Sequence, residues 1–75
     1  MQGILEALLF AAGDEGVSLQ QITNVLDITM LQSADLIENL KEQYEQENRG
    51  IHLIEVGDSF QLVTKKEHSV FLKKL

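Results

Sequence analysis

Between Gly50 and Thr64 the chain reads GIHLIEVGDSFQLVT, and no other stretch limits the possible folds so sharply. Two runs rich in Ile, Val, Leu and Phe flank Gly57-Asp58, a pair that accepts the backbone angles of a tight turn, so the pattern predicts an antiparallel hairpin. A two-residue loop sets Leu53 opposite Leu62 and Glu55 opposite Phe60. Side chains alternate faces along a strand, so Ile51, Leu53, Phe60 and Leu62 share one face, and His52, Ile54, Val56, Gln61 and Val63 share the other. A two-stranded ribbon is marginal by itself in water. Its first face must therefore lie on the helices that precede it. The second face is also half apolar, and a small domain has no further layer to cover it. That leftover points toward a partner.

The preceding residues carry helix signals in order. ILEALLFAA, ending at Gly13, reads as a helix from Gln2 to Ala12 with glycine just past its end. Ile4, Leu5, Leu8, Ala11 and Ala12 are expected to cover its core face. Glu6 marks the opposite side, with Ala7 and Phe10 close to it, so this helix is apolar most of the way round. A surface helix needs only one apolar stripe. Two accounts are open: the helix is packed centrally in a small core, or its outer side, led by Phe10, meets another chain. Asp14-Glu15-Gly16 then makes a polar loop. Ser18 and Gln21 form a capping-box pattern with Val17 placed to staple onto Ile22, and Thr29 with Gln32 forms a second such pattern. The second helix is expected to end near Leu26. The third runs from about Met30 to Glu47, with Met30, Ala34, Ile37, Leu40 and Tyr44 as its buried stripe.

Short helix, tight turn and longer helix make a helix-turn-helix, and a helix before it with a hairpin after it makes the winged variant. The expected fold is α+β and mostly helical: three helices, a two-stranded antiparallel hairpin and a short last helix. That last helix comes after a third capping-box pattern, Thr64 with Glu67. It is made apolar by Val70, Phe71, Leu72 and Leu75, and Lys73 and Lys74 suit its C-terminal dipole. Residues 1–75 are read as a single winged-helix domain that stops inside or just after this last helix, the first part of something longer.

A DNA-reading helix-turn-helix presents the outer face of its second helix to the major groove. Here that face carries Asp35, Glu38, Glu42 and Glu45, with Leu31, Asn39 and Gln46 around them. Carboxylates facing a phosphate-lined groove are repelled unless a cytosine amino group or a metal meets each one. The wing tip, Gly57-Asp58-Ser59, adds no positive charge. Six basic residues stand against twelve acidic ones, for a net charge of −6, the reverse of a domain that binds by neutralising phosphates. A DNA-binding regulator is the alternative reading, and this charge pattern argues against it. No direct sequence-specific DNA binding is expected.

Site chemistry is equally sparse. His52 and His68 have no ligand partners at zinc spacing. Ser18, Ser33, Ser59 and Ser69 have no base in a recognisable nucleophile motif. The phosphate-binding glycine patterns are missing, and Asp14-Glu15 lacks the spaced oxygens of a calcium loop. No catalytic, cofactor-binding or metal residue is assigned, and no cofactor is expected. Lys65, Lys66, Lys73 and Lys74 are the only basic grouping; they read as a solvated helix rim able to touch an acidic partner or DNA weakly. Cysteine is absent, so there is no disulfide framework, as suits a cytosolic protein. No apolar run approaches the ~20 residues of a membrane span, and no membrane association is expected.

ILEALLFAAGDEGVSLQQI and RGIHLIEVGDSFQLVTKKEHSVFLKKL together resemble the N-terminal winged-helix domain of the bacterial segregation and condensation protein B family. The most specific parts are EALLFAAG, the RGI-x-L-x-E strand and the F-x-L-x-T return strand. Gly16, where many members carry proline, and Phe60, where tyrosine is frequent, depart from the pattern. The resemblance implies a cytoplasmic, nucleoid-associated and non-enzymatic subunit of the bacterial condensin complex, with residues 1–75 the N-terminal fragment of a longer two-domain chain. It further implies a homodimer that binds the kleisin subunit, segregation and condensation protein A, and through it the SMC ATPase. From the spare apolar surface, Phe10, Ile54, Val56 and Val63 are the expected contact residues of a self-associating scaffold.

Overall fold

The computed structural model describes residues 1–75. Its elements run α1 (Gln2–Ala12), β1 (Val17–Ser18), α2 (Leu19–Leu26), α3 (Met30–Tyr44), β2 (Ile51–Val56), β3 (Ser59–Thr64) and α4 (Ser69–Leu72), with 3₁₀ turns at Gly13–Glu15 and Lys66–His68. The hairpin has the expected register, Leu53 with Leu62 and Glu55 with Phe60. The sheet has a third strand that alternation could not reveal. Val17 and Ser18 pair with Phe60 and Ser59, so the strand order is β1-β3-β2. Two residues are too short to display a period of two.

Gly16 leads into that third strand. It adopts φ 71, and a β-carbon there would stand 2.8 Å from the Phe60 carbonyl oxygen. Proline, confined to φ near −65°, cannot occupy this backbone.

Both expected capping boxes in the helix-turn-helix form. The Ser18 and Thr29 hydroxyls accept from the Gln21 and Gln32 amides, while the Gln21 and Gln32 side chains accept from the amides of Ser18 and Thr29. Asp27 closes α2 in the left-handed region at φ 54. The third pattern, Thr64 with Glu67, makes no cap. Lys65 instead precedes the 3₁₀ turn, without a side-chain cap bond. α3 ends at Tyr44, short of the expected Glu47. Beyond it, Lys65 is buried and holds the loop from two sides. Its Nζ donates to the Gln46 carbonyl at 2.9 Å, and its backbone N–H donates to the Gly50 carbonyl at 3.0 Å. The expectation of Lys65 as a solvated residue is overturned by these two bonds.

The core is Leu5, Leu9, Val17, Ile22, Ile37, Leu40, Tyr44 and Leu53, with Leu19, Leu26, Ile51, Phe60 and Leu62 packed against it. On α1 the buried face is turned toward Leu5, Leu9 and Ala12, and Ile4 and Ala11 of the expected stripe are exposed. On α3 the stripe passes through Ser33 rather than Met30. The Ser33 hydroxyl is 2.9 Å from that of Thr23, which also donates to the Leu19 carbonyl. A buried polar group is tolerated when it is hydrogen-bonded, so a serine can sit where hydrophobic counting would pass over it.

Candidate protein-interaction surfaces

The α3 face that would meet DNA is fully solvated: Leu31, Asp35, Glu38, Asn39, Glu42, Glu45 and Gln46 are all exposed. No group of three or more His, Asp or Glu side chains could hold a metal ion. His52 lies in a shallow cleft with Glu45, Glu47, Lys65, Lys66 and Glu67, and His68 lies beside Arg49 and Phe71 in another. No nucleophile and base stand together in either. No helix is long and apolar enough to cross a membrane.

One titratable group is clearly perturbed. The buried Tyr44 hydroxyl donates to the Glu6 carboxylate, linking α3 to α1. Burial first, and then the hydrogen bond and negative charge of Glu6, push its pKa up to about 12, with Arg49 pulling the other way. This is a structural clasp. It keeps the tyrosine neutral at ordinary pH and offers no general base.

Apolar surface remains uncovered on α1 and on the hairpin. The first is the outer side of α1. Gly3, Ile4, Ala7, Phe10 and Ala11 are all exposed, opposite the buried Leu5 and Leu9 and the half-buried Ala12. Phe10 is 81% exposed, where an amphipathic helix would present polar residues. The second is the reverse of the hairpin. Opposed residues in an antiparallel pair share a face, so the pairs His52–Val63, Ile54–Gln61 and Val56–Ser59 lie away from Leu53 and Leu62. Ile54 and Val63 are half-buried there, and Val56 is exposed. The four expected contact residues therefore belong to two places. Ile54, Val56 and Val63 sit together, while Phe10 borders a groove with Ile51, Leu62 and Tyr44 on the core side of the sheet. Sequence reasoning missed Ile4 as a surface residue because it assigned Ile4 to the core. The signal was Leu9, whose burial turns the α1 stripe away from Ile4.

The class defined by these features is a winged helix-turn-helix domain whose recognition helix is acidic. Residues 3–75 match the protein family described as Segregation and condensation complex subunit ScpB. Among curated relatives, segregation and condensation protein B of Geobacillus kaustophilus is 54% identical over 74 residues, covering 99% of this chain and 34% of that protein. The Bacillus pumilus relative is 49% identical over 74 residues, covering 99% of this chain and 38% of its own length. A crystal structure described as a dimer of the ScpB N-terminal domain complexed with ScpA peptide is 54% identical. It has a TM-score of 0.96 and covers 99% of this chain and 85% of that one. The crystal structure of ScpB from Mycobacterium tuberculosis, at 18% identity and TM-score 0.87 over 97% of this chain and 45% of that one, shares the fold. The chain belongs to the ScpB family, and it spans little more than a third of the length of the curated relatives it matches.

Proposed function

We propose that this domain is the dimerising part of a non-enzymatic scaffold subunit of the bacterial condensin complex, acting in chromosome condensation and segregation in the cytoplasm, at the nucleoid. It pairs with a second copy and contributes to binding the kleisin ScpA, through which it reaches the SMC ATPase. The observation that carries this reading is the relative at 54% identity and TM-score 0.96, a dimer complexed with ScpA peptide. Supporting it are the acidic surface and the apolar faces left uncovered on α1 and the hairpin. Phe10 on the first, and Ile54, Val56 and Val63 on the second, are the proposed contact residues.

Sedimentation of the chain across a concentration series tests the dimer. The expected result is a dimer persisting at low micromolar concentration, with Phe10→Glu or Ile54→Glu converting it to a folded monomer, because a twofold contact receives each new charge twice. A variant that stays dimeric removes its surface from the interface. Titration with purified ScpA tests the second half of the reading. Duplex DNA binding at physiological salt that weakens steeply with added salt would favour a DNA-reading winged helix instead.

A further inference from the structure

α4 lies outside the packed body. Its packing is chiefly with the 3₁₀ turn just before it, and Val70, Phe71, Leu72 and Leu75 are all exposed, Phe71 by 67%. A four-residue helix has no stability of its own in water, since even helices of ~12–15 residues are marginal without packing. The radius of gyration, 12.9 Å, exceeds the ~11 Å of a compact chain of this length, as expected for an element off the body. Its apolar side chains are left uncovered by the rest of residues 1–75.

Basic charge is confined to the second half of the chain. The first basic residue is Lys41; ahead of it stand Glu6, Asp14, Glu15, Asp27, Asp35 and Glu38. Lys65, Lys66, Lys73 and Lys74 are four of the six basic residues, and Lys73 and Lys74 are exposed at the end of α4. The outer face of α1 is the counterpart. Exposed Ile4, Ala7, Phe10 and Ala11 share this helix with exposed Glu6, and exposed Asp14 and Glu15 follow in the 3₁₀ turn at its C-terminal end. One surface is apolar with a basic border, the other apolar with an acidic border.

We propose that α4 of one copy seats on the outer face of α1 of a second copy, and that the exchange is reciprocal, with Phe71 and Leu72 against Phe10 and Ile4, and Lys73 and Lys74 facing Asp14 and Glu15. This rests on the homodimer reading above and names the surfaces that make it. A twofold packing of α1 on α1 would bury the same apolar face but leave Val70, Phe71 and Leu72 uncovered on both copies. Seating α4 there covers both apolar surfaces and brings opposite charges together.

The test is a charge exchange between two variants of the chain, all of it on exposed residues. Lys73→Glu with Lys74→Glu reverses the arm only, and Asp14→Lys with Glu15→Lys reverses the seat only. Each variant alone meets repulsion in both reciprocal contacts, so its dimerisation weakens by on the order of tenfold or more. Mixed one to one, a reversed arm meets a reversed seat and a native arm meets a native seat. The expected result is a heterodimer of near wild-type affinity, read by analytical ultracentrifugation. Variants that dimerise as well alone as the wild type, or a mixture that stays monomeric, would overturn the exchange while leaving the homodimer standing. A wild-type chain that is itself monomeric would remove both.

Discussion

The helix-turn-helix and the C-terminal segment start from the same local signature and end differently. Ser18 with Gln21, Thr29 with Gln32 and Thr64 with Glu67 all have the capping-box spacing. The first two close with both hydrogen bonds, and the third makes no cap. The difference lies in the helices these residues introduce. α2 and α3 place Ile22, Ile37, Leu40 and Tyr44 in the core, whereas α4 buries nothing. A cap is worth ~1 kcal/mol, enough to position a helix start that packing already favours. It cannot by itself hold a turn that has nothing to pack on.

Core truncation gives the largest contrast between the two regions. Leu9→Ala should cost about 2–5 kcal/mol in denaturant unfolding, because Leu9 is fully buried and its removal leaves a cavity. Phe71→Ala in the dilute protein should stay within about 0.5 kcal/mol, the usual range for exposed sites. A comparable loss at both positions would mean that α4 is packed on its own domain after all. Next comes the backbone at Gly16. Gly16→Pro should cost more than about 1 kcal/mol, since the native φ is incompatible with the ring and the Phe60 carbonyl oxygen leaves no room. Faster hydrogen exchange in β1 and the facing part of β3 is the readout.

Smaller effects sharpen the comparison of caps. Ser18→Ala and Thr29→Ala should each lower stability by ~1 kcal/mol, and Thr64→Ala should leave the melting curve unmoved. Equal losses at all three would mean that the third box forms in solution. The smallest effect concerns the clasp between α1 and α3. Tyr44 is the only tyrosine, so its titration can be followed by absorbance without overlap. Its hydroxyl should ionise near 12 rather than the ordinary 10.0. The raised value favours the neutral form of the folded state, so this contribution to stability is present below pH 10.0 and is lost as pH rises through about 12. Glu6→Gln removes a negative charge and should move the titration downward; no movement would assign the shift to burial alone.

Much of the fold was legible because it rests on local rules. Gly57-Asp58 sets the hairpin register, and the capping residues mark where α2 and α3 begin. Candidate surfaces were harder to read. Helical periodicity identifies a broadly apolar α1 but cannot choose between Ile4 and Leu9 as core, because both lie near the edge of the same apolar arc. Ser33 and Lys65 were invisible for a related reason. Each is a polar residue made compatible with burial by a partner distant in sequence, Thr23 for one and Gln46 for the other. Phe10 was recognised as surplus from sequence, but its separation from Ile54, Val56 and Val63 depends on which side of the sheet α1 occupies.

The amino-acid sequence by itself determined the order of elements, the register of β2 on β3, the acidic recognition helix and the absence of recognisable catalytic motifs. Each comes from turn chemistry, side-chain alternation or charge, which act over a few residues. Tertiary structure alone decided that Val17 and Ser18 become a third strand, that α1 buries Leu9 and exposes Ile4, and that α4 stays off the body. Those outcomes depend on which surfaces remain uncovered once the core is filled. No window of neighbouring residues carries that information, because burial is shared among segments that meet only when the chain has folded.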